Sequence, residues 1–339
     1  MGILRVGILG CGGIARIHAR CLQRLGEDRA KIVRAYDLNP AAARAFAEDF
    51  GGLACHKAEE VIEAREVDAV YICTMHDSHP AFIKVAVAAG KHIFCEKPLA
   101  LDFDQAKEAF AALHGYDRVF ALGYNHRFTP ANSALKELLV TGALTPRLVH
   151  LSLITAPFLS GWAGTAEYGG GILVCLGSHL FDLFRYFVAE EVHTVRALAW
   201  RTHNQEPLLE DTAAAVFEFG ESGVATFNFH DAGTYGLQVF PGRKMVRTEV
   251  YGREGAVLAL GLDGLAVSIG DKVERRSFGP YDHDLTWGYL EENRRFLAAA
   301  GGEAVSLPGA VDGLEAARLV EAARRSAQEQ RPVAVEEVQ

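Results

Sequence analysis

The chain has 339 residues, half of them apolar and 23% charged, with a formal net charge of −9. At this length single cores stop growing, near ~250–300 residues, so the composition predicts a globular protein of two domains and excludes disordered or fibrous classes. An acidic chain with no basic block offers polyphosphate no field, which excludes sequence-general nucleic-acid binding and points to a small ligand.

The first residues, Gly2 to Gly10, read at once as a buried strand, so no export leader is expected. The most apolar long stretch, 172–189, carries His179, Asp182 and Arg185, charges that a hydrocarbon slab would not tolerate without partners. It reads as a helix in a soluble protein. Six cysteines without CxxC pairing read as reduced buried thiols, and the expected location is the cytoplasm.

Short β-branched runs predict strands over 3–9, 30–37, 69–74, 92–95 and 118–122. Amphipathic, Ala-rich helices are predicted over 14–25, 41–50, 58–65, 80–89 and 103–113, several closed by glycine: Gly26, Gly51, Gly90 and Gly115. This alternation implies a doubly wound parallel sheet. After Tyr124 the texture changes to a helix over 130–140, a strand over 148–154, a Gly-rich loop and the helix from Ile172. Strands then follow over 192–201, 212–219, 224–230, 245–251, 256–260 and 265–269, with hairpin-length turns such as Gly220 to Gly223, the pattern of an antiparallel sheet. Two helices, over 285–300 and 311–328, close the chain.

The first strand runs into Gly10-Cys11-Gly12-Gly13-Ile14-Ala15, a G-x-G-x-x-A turn that opens a helix, and Asp37 ends the second strand 22 positions after Ala15. Gly10 permits the tight turn, and Gly12 lets backbone N–H groups approach a pyrophosphate. Gly13 and Ile14 begin the helix whose N-terminus attracts it. Asp37 accepts from ribose hydroxyls and repels a 2′-phosphate, so NAD is the expected cofactor; Arg44 leaves NADP possible. The expected architecture is an α/β Rossmann domain over 1–122 and an α+β domain over 123–339. The second has a large, mainly antiparallel open sheet for substrate binding and oligomerisation, with the last helix packing back on the Rossmann domain.

Glu96-Lys97-Pro98 follows the strand over 92–95, at the carboxyl edge where ligands collect in such sheets. Lysine there can orient a hydroxyl and stabilise an alkoxide; the alternative is a surface ion pair. At these residues the sequence resembles the Gfo/Idh/MocA family of oxidoreductases over almost its whole length. The resemblance rests on the glycine turn with His18 behind it, His79, and the run from Ala89 through Glu96-Lys97-Pro98. Tyr124-Asn125-His126-Arg127-Phe128, the glycines 169–171, His179 with Asp182, and Asn293 to Phe296 also match.

The resemblance implies hydride transfer between a nicotinamide and a carbon of a sugar, polyol or related hydroxyl compound. It implies a catalytic Lys97, a cis bond before Pro98, Thr74 and His79 along the cofactor, Glu96 near the nicotinamide end, and Trp162 packing near the cofactor. Residues 175, 179 and 182 fall at i, i+4 and i+7, so Cys175, His179 and Asp182 are expected on one helix face. His179 is the expected acid/base, with Asp182 orienting its ring or serving the substrate. Tyr124, Arg127, Tyr168 and Cys175 are expected against the substrate. The family often places Asp where Cys175 stands, and a thiol supplies neither that charge nor its acceptors. No metal is expected, although Cys175, His179 and Asp182 can be imagined as ligands. Two other readings stay open: a non-catalytic NAD(H)-binding regulator, and a glycoside-cleaving enzyme that oxidises its substrate transiently. The expected partners are a small-molecule substrate and further copies of the chain, in a homodimer or homotetramer joined through the C-terminal sheet.

Overall fold

The structure is a computed structural model that describes residues 2–155, 161–202, 209–231 and 244–339. The chain divides into two compact units, Met1–Asn125 with Tyr289–Leu314 and His126–Gly288 with Glu315–Gln339.

In the first unit, strands β1 (Leu4–Leu9), β2 (Ala30–Tyr36), β3 (Leu53–Cys55), β4 (Ala69–Ile72), β5 (His92–Cys95) and β6 (Phe120–Leu122) form a six-stranded sheet in the order β3-β2-β1-β4-β5-β6. Every pair is parallel. Strand order reverses between β1 and β4, the place where such sheets bind ligands. Strand β4 is buried throughout, which is why it reads as an unbroken apolar run. Helices α1 (Gly13–Leu25), α2 (Pro40–Phe50), α3 (Glu59–Ile62), α4 (His79–Ala88) and α5 (Phe103–Ala112) make the crossovers. Helix α1 buries Ala15, His18, Ala19 and Leu22, a stripe at helical spacing. The Asn39 side chain accepts from the Ala41 N–H and Pro40 occupies the first turn, so α2 starts with both a cap and a preset φ.

Two details differ from the expected elements. Strand β3 has only three residues, too few to show alternation, and pairs with Arg34–Tyr36 of β2. The helix expected over 58–65 shrinks to the four residues of α3.

The second unit contains α6 (Pro130–Val140), β7 (Leu148–Thr155), α7 (Ser178–Phe187), β8 (Val192–Trp200), β9 (Thr212–Phe219) and β10 (Gly223–Asp231). It continues with β11 (Lys244–Gly252), β12 (Gly255–Leu260), β13 (Gly264–Ile269), β14 (Lys272–Ser277) and α8 (His283–Thr286). Next along the chain, α9 (Tyr289–Ala300) belongs to the first unit, where it lies along α1. Helix α10 (Ala310–Glu329) begins in the first unit and continues into the second, which β15 (Val333–Ala334) completes. The expected second domain covers all of 123–339; in the structure Tyr289–Leu314, which includes the first residues of α10, belongs to the first unit. The single helix expected over 285–300 is broken at Gly288, which has φ +81°.

The second sheet has nine strands in the order β14-β13-β12-β11-β7-β10-β9-β8-β15. Only β7 and β10 pair in parallel. One face carries Phe217, Phe219, Phe227 and Phe229, which pack on Phe181 and Phe184 of α7. Ring centroids lie 4.7 Å apart for Phe181–Phe217, 5.2 Å for Phe184–Phe219 and 4.4 Å for Phe217–Phe227. Following the register from strand to strand puts Leu198, Trp200, Val216, Val224, Leu148 and Leu260 on the opposite face, and all six are exposed. The six cysteines are free and buried, and no helix among the described residues is long and apolar enough to cross a membrane.

The aromatic layer under the second sheet sets that unit's stability. Phe227→Ala is expected to cost about 3–5 kcal/mol in urea unfolding, because a buried ring leaves a cavity. The exposed Val216→Thr should stay within about 0.5 kcal/mol. A cost under about 1 kcal/mol for Phe227→Ala would show that the layer collapses around the gap.

Candidate active site

The turn between β1 and α1 is shaped by its glycines. Gly10 has φ +82°, and a Cβ there would lie 2.5 Å from the Cys73 carbonyl oxygen, so only glycine lets β1 close on the end of β4. At Gly12 and Gly13 a Cβ would meet nothing within 4 Å, so the turn faces open space. Gly12 caps α1 without a side-chain hydrogen bond, and the first turn, which includes Ile14, holds no acidic residue. The helix thus presents uncapped N–H groups and an uncompensated positive dipole end, as a pyrophosphate site requires.

Asp37 borders this turn. Its Oδ2 accepts from the Cys11 N–H at 2.8 Å and its Oδ1 from the Asn39 N–H at 2.8 Å. Each oxygen keeps a lone pair for a ribose hydroxyl. The Cys11 thiol is pushed up to about 12 by burial and by the Asp37 charge, so it stays protonated. These residues fit a bound dinucleotide.

Lys97 lies just beyond β5, half-buried, with a cis bond to Pro98. Glu96 turns inward, where its Oε1 accepts from His18 Nε2 at 2.8 Å and its Oε2 from the Lys97 N–H at 3.1 Å. Gly123 makes room for it, since a Cβ there would sit 3.0 Å from Oε1. The resemblance placed His79 along the cofactor. In the structure the ring is fully buried, with Nδ1 2.8 Å from the Pro98 carbonyl oxygen and Nε2 3.2 Å from that of Thr74. Burial lowers its pKa and outweighs the backbone hydrogen bonds, so the imidazole is neutral and donates through one nitrogen. His79 braces the loops that carry Thr74 and Lys97. Thr74 Oγ1 accepts from Ser78 Oγ at 2.7 Å, and Tyr124 is buried.

In the second unit, the helix expected from Ile172 opens with a π turn, Leu173–Gly177, before α7 begins. The wider turn changes the phase of the helix, and Cys175, His179 and Asp182 have different neighbours. Cys175 Sγ lies 3.4 Å from the Gly169 carbonyl oxygen and 3.6 Å from that of Ala163. His179 stacks on His126, with ring centroids 4.5 Å apart and planes 20° from parallel, and His126 packs against Trp287 at 5.6 Å. Asp182 accepts from Arg127 Nε at 2.8 Å and from its Nη2, and the guanidinium also lies 5.0 Å over the Tyr186 ring. Arg127, expected against the substrate, and Asp182, expected beside His179, therefore form a buried ion pair. Trp162 is 42% exposed in a short helical turn, Gly161–Gly164, and Tyr168 is half-buried on the same loop.

Sequence reasoning gave no role to His18, Asn293, His126, Glu292 or Trp287. The first three stood in the matched motifs, but their partners are distant in sequence and no spacing reveals them.

The family comparisons agree with this geometry. The model of the oxidoreductase family's NAD-binding Rossmann fold matches residues 4–124, and the model of its C-terminal alpha/beta domain matches residues 137–335. The chain belongs to the Gfo/Idh/MocA oxidoreductase family and is an NAD-binding oxidoreductase. Among curated relatives, it is 30% identical to the inositol 2-dehydrogenase of Rhizobium meliloti (strain 1021), covering 98% of this chain and 99% of that protein. It is 29% identical to the myo-inositol 2-dehydrogenase of Thermotoga maritima, covering 99% of both. Among solved structures, a probable dehydrogenase from Thermotoga maritima superposes with a TM-score of 0.82 at 29% identity, covering 99% of this chain and 100% of that one. Levoglucosan dehydrogenase in complex with NADH and levoglucosan shares the fold at TM-score 0.86 and 22% identity, covering 98% and 99%.

Arg127→Ala would take the guanidinium away from the buried Asp182 carboxylate, and is expected to destabilise the protein by about 3–5 kcal/mol. Replacing both, as Arg127→Met with Asp182→Leu, should recover most of that loss in chemical denaturation. A double variant as unstable as the single one would assign the pair's value to its own attraction.

Proposed function

We propose that the protein oxidises a ring hydroxyl of a cyclic polyol or sugar, reversibly, with Lys97 and His179 as its catalytic groups. The observation that carries this reading is the position of Lys97, just beyond β5 at the carboxyl edge of the sheet whose β1–α1 turn fits a dinucleotide. The two inositol dehydrogenase relatives, aligned over nearly the whole chain, support a cyclic polyol.

When bound, NAD supplies the acceptor for the hydride. Lys97 orients the reacting hydroxyl and stabilises the negative charge that grows on its oxygen. His179 takes the hydroxyl proton during oxidation and returns it in reduction, a task suited to an imidazole near neutral pH. Trp162, Tyr124 and Tyr168 are assigned to the walls around cofactor and substrate, and Cys175 to the substrate side of α7. Thr74 and Glu96 are assigned to the nicotinamide end, and Asp37 to the adenosine ribose, where its charge favours NAD over NADP.

A panel of inositols, anhydrosugars and hexoses followed at the NADH absorbance tests the reading. Lys97→Ala should lower turnover by about 10²–10⁴-fold while NADH affinity changes by less than about threefold. Undiminished turnover would remove Lys97 from the mechanism, and NAD binding without turnover of any compound would identify a regulator.

We propose also that the exposed face of the nine-stranded sheet joins copies of the chain into a homodimer or homotetramer. Leu148, Leu198, Trp200, Val216, Val224 and Leu260 share that face, and apolar patches of this kind mark association surfaces. Light scattering should report an oligomer that Val216→Lys with Trp200→Glu converts to monomer; a monomeric wild type would overturn the assignment.

A further inference from the structure

Behind β5 the first unit buries polar side chains that the hydride chemistry does not use. Glu292, near the start of α9, is 1% exposed, and neither of its carboxyl oxygens has a hydrogen-bond partner among the described residues. One of them lies within 4.8 Å of a His18 ring nitrogen and of a Glu96 oxygen, and those two residues are 0% and 6% exposed.

A His-Glu-Glu group of this size invites a divalent cation, but the hydrogen bonding around His18 opposes one. Asn293 Oδ1 accepts from the Tyr71 hydroxyl at 3.0 Å, while its Nδ2 donates to the Tyr289 carbonyl at 2.8 Å and lies 2.9 Å from His18 Nδ1. Facing an N–H donor, Nδ1 keeps its lone pair, so the ring proton is on Nε2 and is donated to Glu96 Oε1. Turning the amide over would set its oxygen against the Tyr289 carbonyl. Nε2 therefore has no lone pair for a metal.

Glu96 accepts from two donors, His18 Nε2–H and the Lys97 N–H, as an ionised carboxylate does. Glu292 has no such donor, and two carboxylates this close in a dry interior do not both ionise.

We propose that Glu292 is a positioning residue that keeps a buried proton beside Glu96, so that a single negative charge, gripped by His18 and the Lys97 N–H, fixes the backbone of the lysine loop. The positioning role rests on the reading of Lys97 given above; the proton does not. The titratable groups facing Glu292 are His18 on α1, Tyr71 in β4, Cys73 just after it, and Glu96 after β5. Burial holds Tyr71 and Cys73 neutral by raising their pKa values. Burial and the neighbouring Glu96 charge both push Glu292 well above the carboxylate range. A raised folded-state value gives stability that is complete below the unfolded carboxyl's range and is lost as pH rises toward the folded value.

The test uses the full chain with NAD bound. The infrared difference between wild type and Glu292→Gln at about pH 7 should contain the carbonyl stretch of a protonated carboxylic acid. The melting temperature of Glu292→Gln relative to wild type should climb steadily from about pH 5 to about pH 9. Glu292→Leu, a second neutral variant, should repeat that trend. With a polyol turned over in the panel, the alkaline limb of kcat/KM should move up by about half a pH unit or more in Glu292→Gln. No carboxylic-acid band, or a melting difference independent of pH, would overturn the buried proton, and an unmoved alkaline limb would overturn the positioning role. Full turnover by Lys97→Ala would instead sink the reading of Lys97, leaving the infrared and melting results to decide on Glu292.

Discussion

The first unit depends on how closely the end of β1 approaches β4. Gly10 donates to the Tyr36 carbonyl at 2.8 Å on one side, and Cys73 donates to the Leu9 carbonyl at 2.7 Å on the other. Between them there is no room for even a methyl group at position 10. This fixes where α1 begins, and with it three features of the site. The helix N-terminus faces open space, the Cys11 N–H reaches Asp37, and His18 lies against Glu96. A side chain at Gly10 would wedge β1 from β4 and disturb all three together. The glycine is a constraint on the Glu96–Lys97 loop as much as on the β1–α1 turn, because Glu96 in turn holds the Lys97 backbone.

The second unit fixes its polar groups by a different device. The Arg127–Asp182 pair joins the short helical turn Asn125–Phe128 to α7, and the His126–His179 stack joins the same two segments one residue earlier. Two contacts at adjacent positions set both the distance and the rotation of that turn against the helix. The ion pair is dry, so its net contribution to stability is small against an apolar replacement, whereas breaking it is costly. Its value lies in orientation: it holds the His126 ring flat against His179, which leaves that imidazole only restricted rotation.

Local signals made much of this legible in the sequence. The glycine turn, Asp37 and Glu96-Lys97-Pro98 each lie within a few residues of a strand end, where spacing alone places them. Strands buried on one or both faces read clearly as alternating or continuous apolar runs. Strand β3 did not, because it has three residues, and β14, Lys-Val-Glu-Arg-Arg-Ser, reads as a charged segment because it is an edge strand with no buried residue. The π turn was invisible because one extra residue per turn leaves an all-apolar run unchanged. Pairs distant in sequence were equally hidden: Arg127 and Asp182 are 55 residues apart and His18 and Glu96 are 78. Arg127, Asp182 and Glu96 read singly as substrate, acid–base or cofactor groups, since nothing in the sequence indicates which side chains they meet.

Cys175 shows how such pairing changes the meaning of a substitution. Its thiol lies among two carbonyl oxygens, of Gly169 and Ala163, and can donate weakly to either. A carboxylate in the same rotamer would face oxygen with oxygen and be driven to take up a proton or turn away. The thiol is therefore suited to this loop, whereas Asp182, further along the same stretch, is a carboxylate because the Arg127 guanidinium donates to it.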